Sequence, residues 1–243
     1  MTSTTPQDSR VANALSAESS SIRLQAALAI GSGADADYTE LLVERCAIEP
    51  DFFVRDMLSW ALTRLPSETV LPRLHRELCS GGDQARSQAL HTLSKIGDKS
   101  AWPWITREML DDPDDGVART AWRTAVVLVP EDEKASLAED LARQLGRGDR
   151  GVQRSLSRAL IDLGEFAAPV LEKAAQSLDP RMAAHARATE LLRQDPESGF
   201  EAAISEARLM LTPGASSGKE PDAGMVGVES RVESVGVQET MDC

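Results

Sequence analysis

Arginine, lysine, tryptophan and histidine recur in this chain at intervals of 31 to 35 residues. Trp60 and His91 stand 31 apart, His91 and Arg123 32 apart, and Arg123 and Arg158 35 apart. Arg119 and Arg154 repeat at 35, and Arg64 and Lys95 at 31. Trp122 adjoins Arg123. A guanidinium offers bidentate hydrogen bonds to a carboxylate or phosphate, and indole or imidazole rings offer a stacking surface. If these side chains share one face, that face suits an acidic or phosphorylated partner. The plain alternative is a solvated helix face, with Arg119 and Arg154 pairing to turn aspartates. Trp60 argues against it, because an exposed tryptophan is unusual unless a neighbouring helix covers it.

Other chemistry is poorly supported. There is no glycine-rich phosphate loop, nucleophile elbow or Ser/His/Asp pattern, so no catalytic residue is assigned. His75 and His185 have no second ligand at metal spacing. Asp111, Asp112, Asp114 and Asp115 lack the twelve-residue loop and terminal glutamate of a calcium site. Trp102 and Trp104 flank Pro103 at a helix start and read as packing residues. Cys46, Cys79 and Cys243 are odd in number and unpaired in spacing, so a reduced, cytoplasmic setting with no metal or cofactor is expected.

Composition sets further bounds. A net charge of −13 disfavours general binding to nucleic acid or anionic membrane, though it leaves room for a local basic patch. No run of about 18 apolar residues is present, so no membrane span is expected, and no secretion signal is visible. Apolar content of 42% with only 4% aromatic implies a core of Ala, Leu, Val and Ile, which suits closely packed helices.

The elements follow from periodicity. In Ala85 to Asp98 the apolar residues fall at Ala85, Ala89, Leu90, Leu93 and Ile96, and Gly97 supplies a helix stop. A helix of about three turns is too short to stand alone and needs similar neighbours. They exist, with starts at Ile22, Val54, Ala85, Val117, Val152 and Met182, at intervals of 32, 31, 32, 35 and 30 residues. Four positions later come Ala26, Leu58, Ala89, Ala121, Leu156 and Ala186. Asp51, Asp83, Asp115, Asp149 and Asp179 precede the last five starts. Two helices per period predict an all-α, right-handed α-solenoid of about six repeats. It is expected over residues 17–210, after a disordered leader at 1–16 and before a disordered acidic tail at 211–243. Positions two, six and ten after each start lie opposite the core by 3.6 periodicity, which gathers the recurrent cations on one groove.

The turn acid, the Val/Ala-Arg start and endings such as Ala159-Leu160-Ile161-Asp162-Leu163-Gly164 resemble the HEAT repeat in its short bacterial, phycobilisome-lyase-like form. The likeness covers about residues 20–195. Departures are an arginine one position later in two repeats, and Pro66 and Pro130 where glycine is expected. The resemblance implies a non-catalytic scaffold or regulatory adaptor with a protein partner, a transcription regulator among the candidates; a monomer is expected, and the charge and the lack of an apolar run disfavour nucleic acid and membrane as partners. The resemblance also implies an enzymatic alternative. Bilin lyases and DNA glycosylases share the architecture, and Asp56, Trp60, Trp122 and Arg123 resemble a glycosylase set.

Overall fold

The repeat folds as two rows of helices, described in a computed structural model over residues 6–196 and 199–211. Each repeat contributes a first and a second helix. The second helices are α2 (Ser20–Gly33), α4 (Phe52–Arg64), α6 (Asp83–Ile96), α8 (Asp115–Leu128), α10 (Arg150–Asp162) and α12 (Pro180–Gln194). Each packs on the next, so they form a continuous layer. Behind it lie α3 (Thr39–Ile48), α5 (Ser67–Ser80), α7 (Arg107–Leu110), α9 (Lys134–Ala142) and α11 (Ala167–Ala175). At the ends, α1 (Pro6–Leu15) packs on α2, and α13 (Phe200–Leu211) packs on α12. No strand occurs among the described residues. This is an α-solenoid of HEAT-like two-helix repeats.

The leader expected to be unstructured at 1–16 instead contains α1. Leu15 is buried and Val11 packs beside the core, so this short helix has an apolar side to attach by. The expected acidic tail lies outside the described residues, apart from Leu211 at the end of α13. Around Pro103, where a helix start was expected, the chain instead forms a 3₁₀ turn at Lys99–Trp104, and the four-residue α7 follows separately. Pro103 lacks an N–H and disfavours α geometry at the preceding residue, so a long helix is interrupted there.

Burial follows the repeat. Val54, Leu58, Leu62, Ala89, Leu93, Val117, Ala121, Leu128, Val152, Leu156 and Leu160 are all buried in one core. Gly97 closes α6 at φ +70°, a conformation that disfavours side chains with a Cβ. A ladder of small polar side chains joins the second helices. Thr92 donates to Ser59 Oγ at 3.1 Å, Thr124 to the Leu90 carbonyl at 2.9 Å, and Ser157 and Thr189 hydroxyls meet at 2.7 Å. Buried hydroxyls satisfied in this way fix the register between repeats without bulk.

Two buried ionisable groups anchor opposite ends. Glu49, fully buried, receives Arg23 through two hydrogen bonds of 2.8 and 2.7 Å, Arg45 through two of 2.8 and 2.6 Å, and the Asp51 N–H at 2.9 Å. Burial acts to raise its pKa, but Arg23, the Asp51 amide and Arg45 outweigh that and hold it at about 2. His185, also fully buried, accepts the Gly146 N–H at Nδ1 at 3.0 Å, so its proton sits on Nε2, 3.0 Å from the Gln153 carbonyl. Burial, only partly offset by that carbonyl, lowers its pKa to about 4.

His185 therefore makes stability depend on pH. Unfolded, it titrates near 6.5; folded, near 4, so the unfolded chain binds the extra proton between those values. Its contribution is complete above pH 6.5 and is lost as pH falls towards 4. At about 1.4 kcal/mol per pKa unit this amounts to about 3 kcal/mol. Urea unfolding at pH 7 and pH 4 should show a larger fall for the wild type than for His185→Gln. Parallel falls would contradict this assignment.

Candidate binding groove

Four second helices, α4, α6, α8 and α10, together form a groove of about 600 Å³ on the outer side of their layer. Its floor is small and polar, from Ser87, Thr120 and Ser155, and its walls carry arginines. The local chain explains the placement. Asp114 and Asp149 cap α8 and α10, each accepting the N–H of the repeat's starting valine at 2.9 Å. Val117 and Val152 turn inward, so residues two and six positions later turn outward.

Of the expected residues, His91, Arg119, Arg123 and Arg158 line this groove together. Arg119 Nε donates to Ser155 Oγ at 2.9 Å, which ties α8 to α10 and holds that guanidinium over the floor. Arg123 and Arg158 make no ion pair among the described residues. Arg123 sits four residues after Arg119, a like-charge spacing that disfavours a helix by a few tenths of a kcal/mol. Burial first, then Arg119, lowers the Arg123 pKa, yet a guanidinium stays protonated at any physiological pH. His91 is held below its ordinary value by burial, then by Lys95 and Arg123, against the pull of Asp56, so it is neutral at pH 7.

The other expected residues lie elsewhere. Lys95 donates to Asp56 at 2.7 Å across the α4–α6 junction, and that contact is the first cause of the lowered Asp56 pKa. Arg154 reaches Glu201 of α13 at 3.3 Å and lies over the Phe200 ring. Arg64 is exposed in the last turn of α4, beyond the groove lining. Trp60 packs against α2, where a Cβ on Gly31 would fall 2.5 Å from the indole. Glycine is therefore required at that helix crossing.

Trp122 needs correcting outright. It is completely buried, and its Nε1–H donates to the Leu110 carbonyl at 2.8 Å, satisfying the end of α7. Five positions after its start it faces the first-helix row, so it cannot meet a partner. The glycosylase-like set therefore does not converge. Trp122 is core, Trp60 belongs to the α2 contact, and Asp56 is occupied by Lys95.

Phe52 and Arg55, which line the groove's α4 end, escaped the sequence reading; Asp162, ten positions after the Val152 start, lies at the α10 end. Four arginines (55, 119, 123 and 158) face two carboxylates (56 and 162), which leaves the lining at about +2 in a chain of net charge −13. Chemically the groove can bind anions. A serine–histidine contact does exist, Ser157 Oγ to His185 Nε2 at 3.0 Å, but both groups are sealed in the core. Burial likewise pushes the Cys46 thiol up to about 12, where it is unreactive at neutral pH. Among the described residues no cluster of His, Cys, Asp or Glu could hold a metal ion, and no helix is long and apolar enough to cross a membrane.

No family model matches the chain, and no curated protein does. A solved structure does match: the complex of CpcE and CpcF of phycocyanin lyase from Nostoc, at 24% identity. The match covers 84% of this chain and 82% of that one, with a TM-score of 0.40. It corrects one expectation. The architecture was expected to imply a chain that is not an enzyme, and a chain with this extent of match stands in a phycocyanin lyase complex. Absence of catalysis does not follow from the fold.

Proposed function

We propose that the groove binds a carboxylate- or phosphate-bearing segment of a partner protein. The observation that carries this reading is the state of Arg123 and Arg158. Both line the groove, neither has a carboxylate partner among the described residues, and each follows another arginine by four positions. A chain with 39 acidic residues had ample means to neutralise them. Elsewhere it does so: Arg23, Arg45, Arg73, Arg86, Arg107 and Arg147 all pair with acids. Cations left open over a polar floor are arranged to meet an outside anion. A transcription regulator as that partner rests on the family resemblance, and no residue of the groove argues for it.

Anisotropy of a labelled phosphoserine peptide tests the reading. Binding is expected at low salt and should weaken steeply by 1 M salt, where screening shortens to about 3 Å. For a tetra-aspartate peptide, whose carboxylates stay ionised well below about pH 6, binding should also strengthen as His91 gains its proton below its ordinary range, because a cation is then added to the lining. No binding at low salt, or binding indifferent to salt, would overturn the proposal.

The likeness to a phycocyanin lyase subunit suggests a second reading, in which the occupant is a chromophore carried by a protein and this chain takes part in lyase chemistry. A linear tetrapyrrole carries propionate carboxylates, so it would use the same arginines. A shift in bilin absorption on mixing with this protein, lost on substituting Arg123 and Arg158, would favour it over a peptide partner.

A further inference from the structure

The α4 end of the groove carries an apolar feature that anion binding does not use. Phe52 is 65% exposed and Phe53 71%, and Ile48, just before them in the chain, is 69% exposed. The two rings meet edge to face, with centroids 5.6 Å apart and planes at 78°, and Phe52 lines the groove itself. Phenylalanines at the first two positions of a helix usually give way to polar residues, and each exposed ring forgoes a burial worth roughly 1.5–3 kcal/mol.

The rings are also held firmly. Asp51 caps α4 by accepting the Phe53 and Val54 N–H groups at 2.9 and 3.1 Å. Arg55 donates to the carbonyls of Glu49 and Pro50 at 2.9 and 2.8 Å, and its guanidinium lies 6.0 Å from the Phe52 ring centre. Glu49, just before this turn, is the buried hub joining Arg23 and Arg45. An apolar pair fixed on a rigid turn gives a partner little ordering entropy to overcome, which is the condition for an anchor site.

We infer that the segment recognised by the groove is bipartite: a large apolar side chain seats on Phe52 and Phe53, and an acidic group further along meets Arg123 and Arg158. This deepens the anion-binding reading above and rests on it. The geometry also sets a spacing. From α4 to α8 is two helix-to-helix steps of about 8–10 Å each. An extended chain advances about 3.3–3.6 Å per residue, so the apolar residue and the first acid stand about five or six residues apart. Charge complementarity fixes the polarity of each end, because the open cations lie on α8 and α10 and the exposed rings lie on α4.

Two synthetic peptides test this. One carries a tryptophan, five glycine and serine residues, then four aspartates; its counterpart has serine in place of tryptophan. Wild type is expected to bind the tryptophan peptide about tenfold more tightly. Phe53→Ser, outside the groove lining, should remove most of that gain while leaving affinity for the serine peptide unchanged, and the ring is 71% exposed, so the variant folds. Equal affinity of the two peptides for the wild type would overturn the bipartite site and leave the anion groove standing. So would an equal loss for both peptides in the phenylalanine variant. If neither peptide binds at low salt, the groove reading and the bipartite site both fail.

Discussion

Glu49→Ala is expected to destabilise the protein by about 3–5 kcal/mol, because it leaves two arginines without the carboxylate that both surround. The side chains of Arg23 and Arg45 are 7% and 15% exposed, so water cannot replace Glu49 without opening the α2–α4 junction. The same carboxylate fixes the Asp51 amide, so the cap of α4 weakens too. Damage should be local, since repeats contact only their neighbours. Hydrogen exchange should accelerate in α2, α3 and α4 while α10 and α12 keep their protection. The hub also adds a second pH dependence. With a folded pKa near 2, below the ordinary 4.5, its stabilisation is complete above about 4.5 and is lost as pH falls towards 2. A Glu49→Ala protein within about 1 kcal/mol of wild type would show that the hub contributes little beyond its own desolvation cost.

Arg123→Glu/Arg158→Glu is expected to reduce affinity for a phosphoserine peptide about 100-fold or more. Each charge-assisted hydrogen bond contributes about 1.5–3 kcal/mol, and every 1.4 kcal/mol is tenfold. Stability should hold, because the reversal relieves the like-charge spacing with Arg119 and Arg154. That outcome separates a binding role from a structural one. Arg64→Glu, beyond the lining, should cost less than about threefold. If the groove reversal and the Arg64 control lose affinity equally, the effect is one of overall charge and the groove is not the site.

The solenoid was legible because burial repeats with the chain. Val54, Ala85, Val117 and Val152 mark the same helix position, and the layer built from their helices needs nothing beyond that period. The groove was legible in part. His91, Arg119, Arg123 and Arg158 share a face that periodicity alone assigns. Lys95 and Arg154 were misplaced because their partners, Asp56 and Glu201, lie on other helices, 39 and 47 residues away. Trp122 was misread because one step along a helix is about 100°, enough to turn a side chain from the groove's border into the core.

The same one-step rotation explains the shifted arginine of two repeats. Where the arginine directly follows the start, as in Arg23 and Arg55, it folds back onto carbonyls of the preceding turn. Where it comes one residue later, as in Arg119 and Arg154, it reaches forward, to Ser155 and Glu201. Phe52 and Phe53 escaped notice because they precede the repeating start. The Ser59, Thr92, Thr124, Ser157 and Thr189 ladder did leave a signal, small hydroxyl residues recurring five or seven positions after the last five starts, but its meaning depends on which helices touch.

That an anion lodges between α8 and α10 is tested most directly by following arginine side-chain Nε–Hε resonances while the phosphoserine peptide is added at low salt. Saturable shifts are predicted at Arg119, Arg123 and Arg158, with Arg23, Arg45 and Arg64 unmoved. Shifts spread evenly over the exposed arginines, or confined to residues outside the groove, would contradict it.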